Sequence, residues 1–200
     1  TEGGLSNPVV FDVGQLAEFS RPPVTPSNEP IRKRSPDAKK SARPQAEPET
    51  SITLPATVNG QITPGGVDRY RFQARKGQRL VVAVRARELI PYLADAVPGW
   101  FQAAVTLYDA KGNEVAHADR YRFQPDPILA YRVPAAGNYV LEIRDSIYRG
   151  REDFVYRVAI GELPVVTSVF PLGARADSDT EVELQGWNMP ITRLTHEIGK

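Results

Sequence analysis

The stretch LPATVNGQITPGGVDRYRFQARKGQRLVVAV, Leu54 to Val84, decides the fold class. Within it Val67–Gln73 alternates. Val67, Arg69, Arg71 and Gln73 fall on one face, and Asp68, Tyr70 and Phe72 on the other. A period of two marks a strand with one wet face. Pro64-Gly65-Gly66 before it and Lys76-Gly77 after it are turn chemistry, because Gly supplies the backbone freedom that tight turns need. Asn59-Gly60 reads as a further turn, closing a first strand over Ile52–Val58. Arg79–Ala86 (RLVVAVRA) is the most β-branched run and reads as a central strand.

Outward from there the rhythm continues. Ala103–Tyr108 reads as a strand, Asp109–Asn113 as a hairpin turn, and Glu114–Ala118 as the return. Ile128–Val133, Asn138–Arg144 and Phe154–Ile160 follow, with Pro134–Gly137 as a turn and Asp145–Asp153 as a loop. Short strands at regular spacing predict a sandwich or barrel. Arg87–Ala96 (RELIPYLADA) breaks the pattern, and Pro91 limits any helix there to a short turn. The hexapeptide DRYRFQ occurs twice, at Asp68–Gln73 and Asp119–Gln124. Its flanks do not match, so it reads as shared strand chemistry, with Tyr and Phe inward and Arg outward, in preference to duplication.

The flanks differ in character. Residues 1–18 contain one strand-like piece, Asn7–Val13 (NPVVFDV), which reads as the last strand of an upstream β-module. Residues 19–50 hold Pro22, Pro23, Pro26, Pro30, Pro36, Pro44 and Pro48 and almost no large apolar side chains. Such a segment cannot bury enough surface to offset its ordering entropy, so it reads as a linker. The basic residues Arg32, Lys33, Arg34, Lys39, Lys40 and Arg43 within it suit either a solvated linker, or a contact with an acidic partner or a protease-sensitive site. Residues 51–162 form the expected sandwich. In 163–200, Val165–Phe170 and Thr180–Leu184 read as two strands opening another module.

Bulk properties narrow the function. A net charge of +1 gives no overall field toward nucleic acid or anionic membrane. Apolar runs such as Leu80–Val84 are too short to span a bilayer. No apolar segment of a signal peptide follows Thr1, and the absence of an initial Met suggests a fragment or processed form. With no Cys, thiol nucleophiles, disulfides and Cys-based zinc sites are absent. His117 and His196 are the only histidines, too few for a His-rich metal site.

Several elements together resemble the bacterial pre-peptidase C-terminal domain family. They are the Gly turn before Asp68-x-Tyr70-x-Phe72 and the Lys76-Gly77-Gln78 lead into an apolar strand. Leu107-Tyr108-Asp109-x-x-Gly112 and Gly137-x-Tyr139-x-Leu141-x-Ile143 follow in order. The resemblance implies an all-β, jelly-roll-like antiparallel β-sandwich, preceded by the Pro-rich linker. It further implies a non-catalytic accessory of exported bacterial proteins, often peptidases. Pro164–Pro190 resembles the opening of an immunoglobulin-like domain of the IPT/TIG type, through Ser168-Val169-Phe170-Pro171-x-Gly173 and Val182-x-Leu184-x-Gly186-Trp187-Asn188. The Glu88–Phe101 insertion departs from the shorter family pattern.

No chemistry of an enzyme emerges. His117 would need a serine and an acid, and no G-x-S-x-G elbow exists. Asp145, Glu152 and Asp153 frame one loop, and clustered oxygens could hold calcium. Arg144, Arg149 and Arg151 interleave them, so charge pairing is the competing reading. No other cofactor is indicated. Tyr92, Trp100, Phe101 and Tyr148 could form an aromatic binding face for sugars or a protein pocket, or could cap the core. The expected partners are neighbouring domains, extracellular polysaccharide or protein, without nucleic acid or membrane insertion. The expected location is extracellular, cell-surface or periplasmic. A pure spacer, or an accessory to a peptidase outside this chain, are the alternatives.

Overall fold

The computed structural model describes residues 11–21, 49–90, 99–175 and 178–197. Two five-stranded sheets face each other. The strands are β1 (Ala17–Ser20), β2 (Glu49–Ser51), β3 (Ala56–Gln61), β4 (Val67–Ala74) and β5 (Arg79–Arg85). Then come β6 (Ala103–Tyr108), β7 (Glu114–Ala118), β8 (Ile128–Arg132), β9 (Gly137–Asp145) and β10 (Val155–Gly161). One sheet runs β1-β3-β10-β5-β8, the other β2-β4-β9-β6-β7. All pairings are antiparallel except β1 on β3 and β2 on β4, which are parallel. Neither sheet closes into a barrel. Among the described residues no helix is long and apolar enough to cross a membrane.

The alternation seen in the sequence sorts side chains between core and solvent. Tyr70 and Phe72 of β4, Leu141 and Ile143 of β9, Val105 and Leu107 of β6 point inward from one sheet. Val58 of β3, Val82 and Val84 of β5, Val158 and Ile160 of β10 meet them from the other. A continuous apolar layer between two sheets is the arrangement that removes most apolar surface from water.

Three expectations need correction. Asn59-Gly60 is not a turn but lies inside β3, with Gly60 opposite Tyr156 and Asn59 opposite Arg157. A Cβ at Gly60 would overlap the Tyr156 ring, so glycine is there for the ring rather than for a bend. The turn comes later, where the Gly66 N–H donates to Thr63 O. Second, Phe11–Val13 is not strand; the N-terminal strand is Ala17–Ser20, and it joins the sandwich itself. Residues 1–10 lie outside the described residues. At the ends of the segment expected as linker, Phe19 and Ser20 belong to β1 and Glu49 and Thr50 to β2. Residues 22–48 lie outside the described residues. Third, the second DRYRFQ is not a strand. Tyr121 and Gln124 bridge to each other in a tight turn, with Arg122 at φ 55°.

The register places the loops at two poles. Gln61 pairs with Val155, Arg85 with Arg157, and Ala83 with Ile128. Val67 pairs with Arg144, Ala103 with Asp145, and Val105 with Ala118. The connections 62–66, 119–127 and 146–154, with the described ends of 86–102, therefore emerge at one pole. The connections 75–78, 109–113, 133–136 and 162–164 emerge at the other.

After that second pole comes a three-stranded sheet of β11 (Val165–Phe170), β12 (Asp179–Trp187) and β13 (Arg193–Glu197), in chain order. It touches the sandwich through Asn188, whose Nδ2 donates to Arg79 O at 2.8 Å and Leu163 O at 3.0 Å. The Arg79 guanidinium lies 4.9 Å from the Trp187 ring centre.

Candidate interaction pole

The first pole is built around Asp145, the last residue of β9 and fully buried. Its carboxylate accepts from the backbone N–H of Gln102, Ile147 and Arg149, at 3.1, 3.2 and 3.0 Å. Arg149 Nε and Nη2 add a fork at 3.0 Å each. Burial pushes the Asp145 carboxyl up, but the donors from Arg149, Gln102 and Ile147 outweigh it and hold the group below its ordinary value. Arg149 Nη2 also reaches Trp100 O at 3.0 Å, joining loop 146–154 to loop 86–102.

Neighbouring loops lock the same segment. Gly65 N–H donates to Tyr148 O, Arg151 N–H to Ile62 O, and Ile62 N–H to Phe154 O. Gly150 sits so close to Thr63 backbone that a Cβ would overlap it. Arg151 forks onto Asp153 at 2.8 and 2.9 Å. Asp126 accepts from the N–H of Ala86, Arg87 and Glu88 at 2.9–3.0 Å, pinning loop 119–127 to the start of loop 86–102.

On this fixed base two apolar tips face solvent. Ile147 and Tyr148 are 68% and 53% exposed, and Tyr148 sits at φ 60°. A bulky aromatic residue in the left-handed region is an outlier, held there only because its surroundings over-determine it. The Arg144 guanidinium lies 4.6 Å from the Tyr148 ring centre and braces one side of it. Phe123 is fully exposed at the tip of the neighbouring turn.

The aromatic face expected from sequence divides. Tyr148 is exposed. Phe101 is buried and stacks on Phe154 with ring centres 5.2 Å apart, so it caps the core. Trp100 is half-buried, with Arg87 4.1 Å from its ring centre and Nε1 buried without a hydrogen-bond partner. Tyr92 lies outside the described residues. Ile147 and Phe123 were not singled out by sequence. Pro125 and Pro127, directly after the second DRYRFQ, were the available signal that it turns.

The three carboxylates considered for calcium do not converge. Asp145 is saturated by N–H donors, Asp153 is paired with Arg151, and Glu152 is exposed. Among the described residues no group of three or more His, Asp or Glu is placed to hold a metal ion. His117 lies on the outer face of β7, its Nδ1 2.9 Å from Thr106 Oγ1.

A second polar cluster bridges the sheets below the pole. Tyr156 Oη donates to Asp68 at 2.5 Å and lies 2.7 Å from Tyr70 Oη. Arg21, just after β1, pairs with the same Asp68. Burial raises Asp68 above its ordinary value, against the opposing pull of Tyr156 and Arg21. Burial also pushes Tyr70 up to about 12.

No family model and no curated protein sequence matches the chain. Solved structures are similar in fold. The pre-peptidase C-terminal domain of a Bacillus anthracis collagenase is 15% identical, over 58% of this chain and 97% of that one, with a TM-score of 0.43. PliG of Aeromonas hydrophila, a periplasmic inhibitor of g-type lysozyme, is 16% identical over 56% and 96%, with a TM-score of 0.36. Salmonella Typhimurium PliG is 22% identical over 56% and 96%, with a TM-score of 0.37.

Proposed function

We propose that this chain is a non-catalytic interaction module of an exported bacterial multidomain protein, acting at the cell surface, in the periplasm or outside the cell. It docks a protein or polysaccharide partner through the Ile147–Tyr148 and Phe123 tips. The observation that carries this reading is Tyr148: exposed, at positive φ, on a loop locked from below by Asp145. Rigid exposed aromatics lose little entropy on binding and are the side chains that dominate interfaces. Asn188 and Trp187 meet the sandwich at the second pole, so among the described residues the neighbouring sheet sits away from these tips.

The test is an array of extracellular proteins and soluble polysaccharides probed with the full chain and with an Ile147→Ser/Tyr148→Ser/Phe123→Ser variant. Specific capture that disappears in the variant, with unchanged melting, is the expected result. Capture that survives the triple substitution contradicts the reading. Protein or glycan hits then separate the two partner classes.

A second reading is a spacer. The contacts of Asn188 and Trp187 with Arg79 favour it, since they fix the join between two β-units. A spacer captures nothing in the array, and the variant then behaves like the parent.

A further inference from the structure

We propose that the outer edge of β3 is a strand-docking site, filled in cis by β1 and able to take the same strand from a second copy of this chain. β1 is four residues long and lies parallel to β3, Glu18 against Thr57 and Phe19 against Val58. Beyond the backbone ladder, its side-chain attachments are mainly polar. Glu18 meets Arg157 Nη1 at 2.8 Å and Asn59 Nδ2 at 2.6 Å. Asp12 meets Arg85 at 2.5 Å and Arg157 at 2.8 Å. Arg21 pairs with Asp68 and donates its N–H to Asn59 O. Phe19 alone of the strand packs against the core.

The fit to the sandwich is incomplete. A cavity of about 420 Å³ opens between this segment and the sheet, lined by Asp12, Arg21, Gly60, Tyr156 and Arg157 among others. Phe11 lines the mouth of this cavity and, like Val13, is largely exposed. The strand is thus a bound ligand in all but its covalent link, which runs through the Pro-rich, apolar-poor residues 22–48. Strand addition of this kind takes affinity from main-chain bonds and specificity from alternate side chains. Here the specificity is an acid facing Arg157, an aromatic facing inward and an Arg reaching Asp68. A tether of a few tens of residues holds the cis strand at an effective concentration on the order of millimolar. A second copy therefore competes only when that tether is cut or the chain is highly concentrated.

The test uses the full chain with a specific protease site inserted between Pro36 and Asp37. After cleavage, a fluorescent peptide of residues 11–21 is titrated in and followed by anisotropy. The nicked chain is expected to keep its melting transition and to take up the peptide saturably. A peptide carrying Phe19→Ala is expected to bind about tenfold more weakly or worse. The uncut chain is expected to bind about a hundredfold more weakly than the nicked one, because its own strand occupies the edge. Loss of the fold on cleavage, no uptake, equal uptake by the uncut chain, or equal binding of the Phe19→Ala peptide would each overturn the proposal.

Discussion

Asp145 shows how one buried charge can organise a surface. It is surrounded by N–H donors from three residues, and two of those residues flank the exposed tip. Asp145→Asn leaves the Arg149 guanidinium without its counter-charge and is expected to lower stability by about 3 kcal/mol, read as a shift in urea midpoint. The sign of the pH effect follows from the depressed carboxyl. The stabilisation from Asp145 is present above its ordinary value of 3.8 and is lost as pH falls through the lower folded value. Asp68 works in the opposite direction. Its folded value is raised, so its contribution is fully present below 3.8 and is lost as pH rises through the folded value. Urea titrations between about pH 3 and pH 7 should therefore show parent stability falling relative to Asp68→Asn as pH rises. Parent stability that rises relative to Asp68→Asn over that range would contradict the placement of Asp68. Gly150→Ala, which forces a methyl into Thr63 backbone, is expected to destabilise by about 2 kcal/mol in the same assay.

At the scale of elements, loop 146–154 carries backbone strain at its tip. Tyr148→Gly removes both the ring and the left-handed penalty; Tyr148→Ala removes only the ring. The Gly variant should then be more stable than the Ala variant by about 1 kcal/mol, and equal stabilities would mean the tip relaxes in solution. The two DRYRFQ copies show what local sequence can and cannot specify. The first pairs with β9 along its length and buries Tyr70 and Phe72. The second lies ahead of Pro125 and Pro127, which cannot donate to a ladder, and it curls into a turn with Phe123 in water. Strands that bury an alternating face, such as β4, β6 and β9, were legible because burial writes a period of two into the chain. β1 and β2 were not, since each is a short edge with few apolar side chains and is held largely by cross-strand ion pairs. Glu49, for instance, bonds Arg69 and Arg71 of β4. The site was half legible for the same reason: Tyr148 stood out as an aromatic in a polar loop, but nothing local distinguishes it from Phe101, which turns inward onto Phe154.

The molecule as a whole is a two-layer scaffold with its neighbouring sheet at one pole and its apolar tips at the other. In such a scaffold the shared core and the N–H donors around Asp145 give the loop internal partners in the place an ion would take. Thermal melts in excess calcium and in EDTA are expected to coincide; a higher midpoint in calcium would mean that Glu152 and Asp153 rearrange around an ion. A pre-formed docking pole requires loop 146–154 to be ordered before any partner arrives. Amide hydrogen exchange on the full chain measures this most directly. The N–H groups of Ile147 and Arg149, both bound to the Asp145 carboxylate, should be protected to nearly the same degree as those of β9 and β10. Exchange of these two amides at the rate of an open, solvated loop would contradict a pre-formed docking surface.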